Sequence, residues 1–254
     1  MTPAVVVIDL GPGVRAGFTT TATGNLGLAV GDDPVLVERR RAEVDAWLGA
    51  RTAYLRQVHG ARVHHRTSPV DEPLVEADAV VSAGHAALGV LVADCVPVLL
   101  ADPVHRVAAA VHAGRRGVLA GVVPAAVAAM VDEGARPQDI RAVIGPAICG
   151  ACYEVPAELR DAVADVVPGA AATTSWGTPS LDLPGAVRRQ LLVVGVRATD
   201  LKACTRTDDR WFSHRASGTR DAAPNLARPA GRFAAVVRLV PGVSPRSAST
   251  AGLA

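Results

Sequence analysis

The chain has 254 residues, of which half are hydrophobic and a fifth charged, with a formal net charge of +2. That length and apolar content suffice for the buried core of one large domain and exclude a chain that is disordered over most of its length. The positive charge is almost all arginine (Lys202 is the sole lysine) and does not gather into a stripe interleaved with aromatics, which are only 3% of the residues, so nucleic acid is excluded as an expected partner.

Val5 to Leu10 is a β-rich run closed by the turn residues Gly11-Pro12-Gly13, and Val14 to Thr20 reads as a second strand. Asp33-Pro34 opens a helix, because Asp33 can cap free amides and Pro34 suits the first helical position. The helix is expected to run to Leu48, before Gly49, with Val35, Val37, Val44 and Leu48 toward the core. From Ala53 onward the pattern changes to short apolar runs with turns between them. Strands are expected near Ala53–Val58, Ala77–Val81, Leu88–Ala93, Pro97–Ala101 and Arg106–Val111. Gly117 to Met130 reads as one helix kinked at Pro124 and stopped by Gly134. A strand at Ile140 to Ile144, helices at Pro156 to Val166 and Asp182 to Val194, and strands near Asp200–Thr205 and Phe233–Leu239 complete the ordered part. Residues 1–240 are therefore read as a single mixed α/β (α+β) domain, and 241–254, rich in Ser, Pro, Gly and Ala, as a mobile tail.

No charge-free run of about twenty apolar residues suggests a membrane span. Met1 to Gly11 has no basic stretch leading into a long apolar segment and cleavage site, and Cys95, Cys149, Cys152 and Cys204 are too few and scattered for a secreted disulfide framework. A cytoplasmic protein is expected.

Three apolar runs end on a metal-ligand residue: Gln57-Val58-His59-Gly60, Ala93-Asp94-Cys95 and Val111-His112-Ala113-Gly114. Two imidazoles and a thiolate suit tetrahedral zinc and leave a fourth position for water or substrate. Singly, each has an ordinary reading: a histidine at a strand end is commonly hydrogen-bonded or exposed, and cysteine is a common core residue. The spacing alone does not decide the matter.

The segments around these residues add to the case. Leu55-Arg56-Gln57-Val58-His59-Gly60, Val92 to Leu100 around Asp94-Cys95, and His112-Ala113-Gly114-Arg115-Arg116-Gly117 resemble the signature segments of the YfiH-like family. Its members are often labelled multicopper polyphenol oxidase, laccase-domain protein or purine nucleoside phosphorylase. Further matches are Asn25-Leu26-Gly27 with Gly31 to Pro34, Ile144 to Ile148 leading into Cys152-Tyr153-Glu154-Val155, Cys204-Thr205, Phe212 to Arg215, and Gly231-Arg232. The resemblance implies a layered α/β/β/α fold with mixed sheets. It also implies zinc held by His59, Cys95 and His112, phosphorolysis of adenosine, inosine and methylthioadenosine, and hydrolytic deamination of adenosine. The chain departs from the family in having Arg115 where an aromatic residue is common, Thr207 where a second cysteine often follows Cys204, and Glu38-Arg39-Arg40 where Glu-Asn-Arg is common.

Other residues have a chemical reading beside a structural one. Asp94 can move a proton or steer the neighbouring thiolate, or merely cap its turn. Arg40 and Arg116 can fork onto phosphate, or serve a solvated face or an ion pair. Asn25 can bond a base or ribose, or only turn the chain. Cys149-Gly150-Ala151-Cys152 lacks the helix that follows a thioredoxin-like motif and reads foremost as a pair of buried thiols.

Competing functions follow from the same residues. Copper is the alternative ion and polyphenol oxidation the alternative reaction, although seven histidines with no His-x-His pair cannot hold a four-copper laccase set. Cys95 can also be the nucleophile of a Cys-His hydrolase or amidase, including one that edits cell-wall precursors. The expected partners are small purine nucleosides and phosphate, with neither membrane nor nucleic acid; the sequence points to no protein partner.

Overall fold

The computed structural model describes residues 2–67, 74–217 and 228–242. A five-stranded sheet and a six-stranded sheet face each other. In chain order, β1 (Val5–Ile8) and β2 (Val14–Thr19) lead to α1 (Pro34–Leu48), then β3 (Thr52–Ala53), β4 (Val63–His65), β5 (Ala79–Ser82), β6 (Ala87–Val92), β7 (Val96–Asp102) and β8 (Val107–Ala113). After these come α2 (Arg115–Leu119), α3 (Val122–Asp132), β9 (Arg141–Ile144), α4 (Ala157–Val166), the hairpin β10 (Ala171–Thr173) and β11 (Pro179–Leu181), α5 (Leu183–Val193), β12 (Ala198–Asp200), α6 (His214–Ser217) and β13 (Phe233–Leu239). The first sheet has the order β1-β2-β13-β6-β3 and the second β12-β9-β7-β8-β5-β4. Both mix parallel and antiparallel pairs.

Strand parity builds the layers. Leu88, Val90 and Val92 of β6 and Phe233, Ala235 and Val237 of β13 meet Leu99, Ala108, Ala110 and Val143 between the sheets. The alternate residues Val98 and Leu100 of β7 and Ala109 and Val111 of β8 pack with α3 and α5 on the far side of the six-stranded sheet. Ala87, Ala234 and Val236 pack with Val44 and Leu48 of α1 on the far side of the other. The order is thus α/β/β/α. Strands covered on both faces carry continuous apolar runs rather than alternation, which is why β7 and β8 read as uninterrupted apolar stretches in the sequence.

Helix α1 spans the expected residues: the Asp33 carboxylate accepts the Val35 amide at 2.9 Å, and Gly49 ends the helix in the left-handed region. Val35 is a correction to the expected core face, since in the first turn it is 75% exposed. The single kinked helix expected over 117–130 is two helices. Gly121, at φ 79°, breaks the chain, and Pro124 then falls in the first turn of α3, where its missing amide hydrogen needs no partner. The expected strand over 53–58 shrinks to Thr52–Ala53. Beyond it, Gln57 pairs with β6 through its side chain, donating to the Leu91 carbonyl and accepting its amide, both at 2.8 Å. The last short strand lies at Ala198–Asp200 rather than 200–205, because Lys202 turns the backbone to φ 51°. The expected tail is described only as far as residue 242; 243–254 lie outside the described residues. No described helix is long and apolar enough to cross a membrane.

Candidate metal centre

The centre forms where the layer between the sheets ends. His112 is the last but one residue of β8 and has the parity of Ala108 and Ala110, which lie between the sheets. Cys95 ends the turn from β6 to β7, beside the end of β8 because Val96 pairs with Ala113. His59 lies in the loop that Gln57 ties to β6. Residues distant in sequence are thus brought to one edge by two strand ends and a tethered loop.

Both ligand-bearing turns use left-handed non-glycine backbone, with φ 62° at His59 and 81° at Asp94. Such conformations persist where surrounding bonds fix them, and a buried carboxylate fixes each. Asp78, with no exposed surface, accepts the amides of Val58, His59 and Gly60 at 3.3, 2.9 and 2.7 Å. Asp94 accepts the Thr205 hydroxyl at 2.6 Å and the Arg215 amide at 2.7 Å. Asp78 also accepts His112 Nδ1–H at 2.8 Å, which leaves the Nε2 lone pair of the neutral ring free to bind a metal.

The three donor atoms lie within 4.8 Å of one another, and Cys95 Sγ is 3.9 Å from His59 Nε2. Tetrahedral zinc with nitrogen and sulfur ligands sets its donors about 3.3–3.6 Å apart, a spacing that small side-chain rotations reach. Two imidazole nitrogens and a sulfur therefore fit zinc, with His59 exposed and His112 buried. Gly114 makes room for them: a Cβ there would lie 2.7 Å from the His59 ring and 3.1 Å from Cys95 Sγ. Burial pushes the Cys95 thiol up, but hydrogen bonds from His112 and His59 more than reverse this and hold it at about 6. Burial pushes His112 down, and the hydrogen bonds to Asp78 and Cys95 raise it to about 9. Without an ion, the pair is a thiolate beside an imidazolium.

Two cavities meet here. One, of about 380 Å³, is lined by Arg115, Arg116, Tyr153 and Arg215. The other, of about 570 Å³, is lined mainly by apolar groups, among them Leu28, Val30, Leu55, Leu91 and Val92. His59, Ala93, Cys95 and His214 line both. Arg115 lines the first cavity with its charge close to Tyr153, while the Arg215 guanidinium lies 5.0 Å from the centre of the Tyr153 ring.

The structure thus brings together His59, Cys95, His112, Asp94 and Arg116, the last reaching the Val58 carbonyl at 3.4 Å. Asn25 and Arg40, expected to contact substrate, line neither of these two cavities. Asn25 Oδ1 accepts the Gly27 and Arg232 amides, and Nδ2 donates to the Gly27 carbonyl and Asp32. Arg40 pairs with Asp32 at 2.6 Å. Both side chains staple the segment before α1. Asp94 has each oxygen engaged by an internal donor, so the turn-fixing reading describes it better than proton carriage.

Sequence reasoning passed over Asp78 and His214. The signal for Asp78 was a lone charge among Ala77, Ala79 and the apolar run after them, since a buried carboxylate needs partners. His214 stood in a quoted family segment without a role. Three further histidines are committed elsewhere: His65 to Glu133 and His105 to Asp102, each at 2.8 Å, and His85 to the Leu239 carbonyl at 3.1 Å.

Taken together, the layered mixed-sheet fold and the His-Cys-His edge define a protein with a candidate mononuclear metal centre on an α/β/β/α sandwich. Residues 12–240 match the family model described as multi-copper polyphenol oxidoreductase laccase, and the chain belongs to that family, the YfiH-like proteins. A Streptomyces coelicolor protein named purine nucleoside phosphorylase is 53% identical over 222 residues, covering 82% of this chain and 92% of the relative. A Mycobacterium tuberculosis protein of the same name is 44% identical over 220 residues, covering 85% and 84%. The crystal structure of a Neisseria meningitidis protein superposes with a TM-score of 0.79 at 30% identity, over 93% of this chain and 99% of that one.

Proposed function

We propose that this protein is a zinc-dependent purine nucleoside phosphorylase acting on adenosine, inosine and methylthioadenosine, and that it also deaminates adenosine hydrolytically. The observation that carries this reading is the meeting of an arginine-lined cavity and an apolar cavity at His59 and Cys95, grouped with His112. A dianionic phosphate matches the first and a purine nucleoside the second. Relatives named purine nucleoside phosphorylase support phosphorolysis in general.

In phosphorolysis a phosphate oxygen bonds to the anomeric carbon, the bond from that carbon to the purine nitrogen breaks, and the departing purine takes up a proton. Arg115, Arg116 and Arg215 hold the phosphate by charge-assisted hydrogen bonds. The apolar wall excludes water from the ribose, and His214, which lines both cavities, gives the proton to the leaving base. His59, Cys95 and His112 would hold the zinc, which would supply Lewis-acid polarisation when bound. Asp78 orients His112 and the His59 loop, and Asp94 fixes the Cys95 turn. In deamination, water adds at the purine carbon that bears the amino group and one of its protons goes to the ring nitrogen; the amino group then leaves as ammonia with a proton from the same histidine, which recovers it from the added hydroxyl as the carbonyl forms.

The test is product analysis with zinc-loaded protein. Adenosine with phosphate is expected to yield adenine and ribose 1-phosphate, inosine to yield hypoxanthine and ribose 1-phosphate, and adenosine without phosphate to yield inosine and ammonia. Absence of all these products from fully loaded protein overturns the reading.

A further inference from the structure

A second group of soft donors lies outside this centre. Cys149, Cys152 and Cys204 place three Sγ atoms within 4.8 Å of one another. Backbone bonds assemble them. The Cys152 and Tyr153 amides both bond the Cys149 carbonyl at 2.9 Å, closing the turn that sets Cys149 beside Cys152. Cys204 joins by a parallel bridge to Ala147, with the Thr205 amide on the Ala147 carbonyl at 3.1 Å. None of the three lines either cavity of the metal centre. A third grouping, Asp102, His105 and Asp139, differs in kind: Asp102 is used up by the Val104, His105 and Arg136 amides and the His105 ring, which makes it a loop staple.

We propose that Cys149, Cys152 and Cys204 form a second, all-sulfur ion site that takes monovalent copper.

The donors set the choice of ion. Three cysteine sulfurs with, among the described residues, no imidazole or carboxylate in the group select a soft ion. Structural zinc closes its shell with four protein ligands, and among the described residues this cluster offers three. The Cys204 sulfur is prepared as a thiolate. It accepts the Cys149 amide at 3.5 Å, and hydrogen bonds from the Cys149 thiol, the Arg206 amide and Thr207 help hold it well below the usual thiol range despite burial. Thr207, whose amide bonds the Cys204 carbonyl at 3.2 Å, brings no further sulfur to the cluster. The hydrogen bond to Cys204 together with burial keeps the Cys149 thiol protonated, and burial does the same for Cys152. Binding one monovalent copper ion therefore forms three copper–sulfur bonds, releases the Cys149 and Cys152 protons to solvent and changes no oxidation state. The product carries two negative charges. Arg206, whose guanidinium donates to the Cys152 carbonyl at 3.2 Å, lies beside them.

The test is anaerobic titration of reduced full-length protein with monovalent copper against a competing chromophoric chelator. Cys95→Ala removes the sulfur of the first centre and is expected to bind one equivalent. X-ray absorption of that variant is expected to show three sulfur neighbours and no imidazole. Cys95→Ala combined with Cys204→Ser is expected to bind none. If the double variant does not fold, the absorption spectrum of Cys95→Ala decides alone. The proposal is overturned if folded Cys95→Ala loses the ion to the chelator, if its spectrum shows nitrogen neighbours, or if folded Cys95→Ala/Cys204→Ser retains the equivalent. It is equally overturned if the cluster closes a disulfide under peroxide while reduced Cys95→Ala takes up no copper, which would make it a redox pair.

Discussion

The two groups of soft donors are neighbours in space and opposites in construction. Asp94 accepts the Thr205 hydroxyl at 2.6 Å, and its carbonyl accepts the Ile148 amide at 3.0 Å, so the residue before Cys95 touches the residues flanking Cys149 and Cys204. At His59, Cys95 and His112, side chains position side chains: Asp78 holds one imidazole and the loop of the other. At Cys149, Cys152 and Cys204 it is mainly backbone bonds that set the donors, and among the described residues the group includes no carboxylate. The first group leaves His59 exposed between two cavities; the second lines neither. A centre that turns over substrate needs an open position and an adjustable outer shell. A centre that only holds an ion needs neither.

The comparison is broken most severely at the sulfur of the first group. Cys95→Ala is expected to abolish zinc binding at His59 and His112 and to lower nucleoside phosphorolysis by about 10³-fold, a loss of ~4 kcal/mol from the transition state. Cys204→Ser, which leaves those donors intact, is expected to keep zinc at the first centre. Metal content and turnover on the same samples check both. Wild-type activity that survives removal of all zinc by a chelator would shift the weight to Cys95 as a nucleophile paired with histidine.

Asp78→Asn comes next. Its amide cannot accept the His59 and Gly60 amides as a carboxylate does, and it no longer favours the Nδ1–H form of His112. Zinc affinity is expected to fall about 10–100-fold, measured by competition with a chelator, with little change at the cysteine cluster. Equal weakening of both sites would show that the variant disturbs the fold rather than the centre. Burial pushes Asp78 up, but hydrogen bonds from His112 and the loop amides hold it below its ordinary value. Its contribution to stability is therefore present above the usual carboxylate range and is lost as pH falls through the depressed value. The variant is expected to lack that part of the acid limb.

A third test uses pH on zinc-free protein. With the Cys95 thiol held at about 6, its thiolate is present above that pH and is lost below it. Alkylation of Cys95, followed by peptide mass, is expected to rise about tenfold from pH 5 to pH 7 and then level off, as the thiolate fraction dictates. His112→Ala removes the largest hydrogen-bonding cause of the shift and is expected to move the midpoint upward. An unmoved midpoint would reject the assigned cause.

The sequence made the architecture legible wherever burial left a simple pattern. Strands β6, β7, β8 and β13 are apolar on both faces and were visible as runs, and α1 was visible through Asp33, Pro34 and Gly49. Short edge elements were not: Val63–His65 and the hairpin Ala171–Thr173 with Pro179–Leu181 are three-residue strands of mixed polarity, too brief for a period to emerge. The three candidate ligands could be named from the segments around them, but their convergence depends on strand register and on the Gln57 tether. Asn25 and Arg40 show the converse. Their chemistry suits a ligand, yet a partner seven or eight residues along the chain, Asp32, claims both. Which of two adequate partners a polar group takes is decided by the fold.

The smallest expected effect concerns Arg115, one of the departures from the family's common segments. Arg115 follows Gly114, and α2 begins with it directly after His112-Ala113-Gly114, so its side chain enters the arginine-lined cavity from the ligand-bearing strand. An aromatic residue there would offer a flat wall; a guanidinium half-buried against Tyr153 offers a fork for an oxyanion. A hydrogen bond to a charged group contributes ~1.5–3 kcal/mol when fully formed, and Arg116 and Arg215 retain part of the field when Arg115 is removed. Arg115→Ala is thus expected to raise the KM for phosphate about tenfold, the low end of that range, with kcat and nucleoside KM nearly unchanged. Arg115→Lys should recover part of the loss, because the charge remains while the fork is gone. A fall in kcat with phosphate KM unmoved would place Arg115 against the nucleoside instead and leave the anion to Arg116 and Arg215.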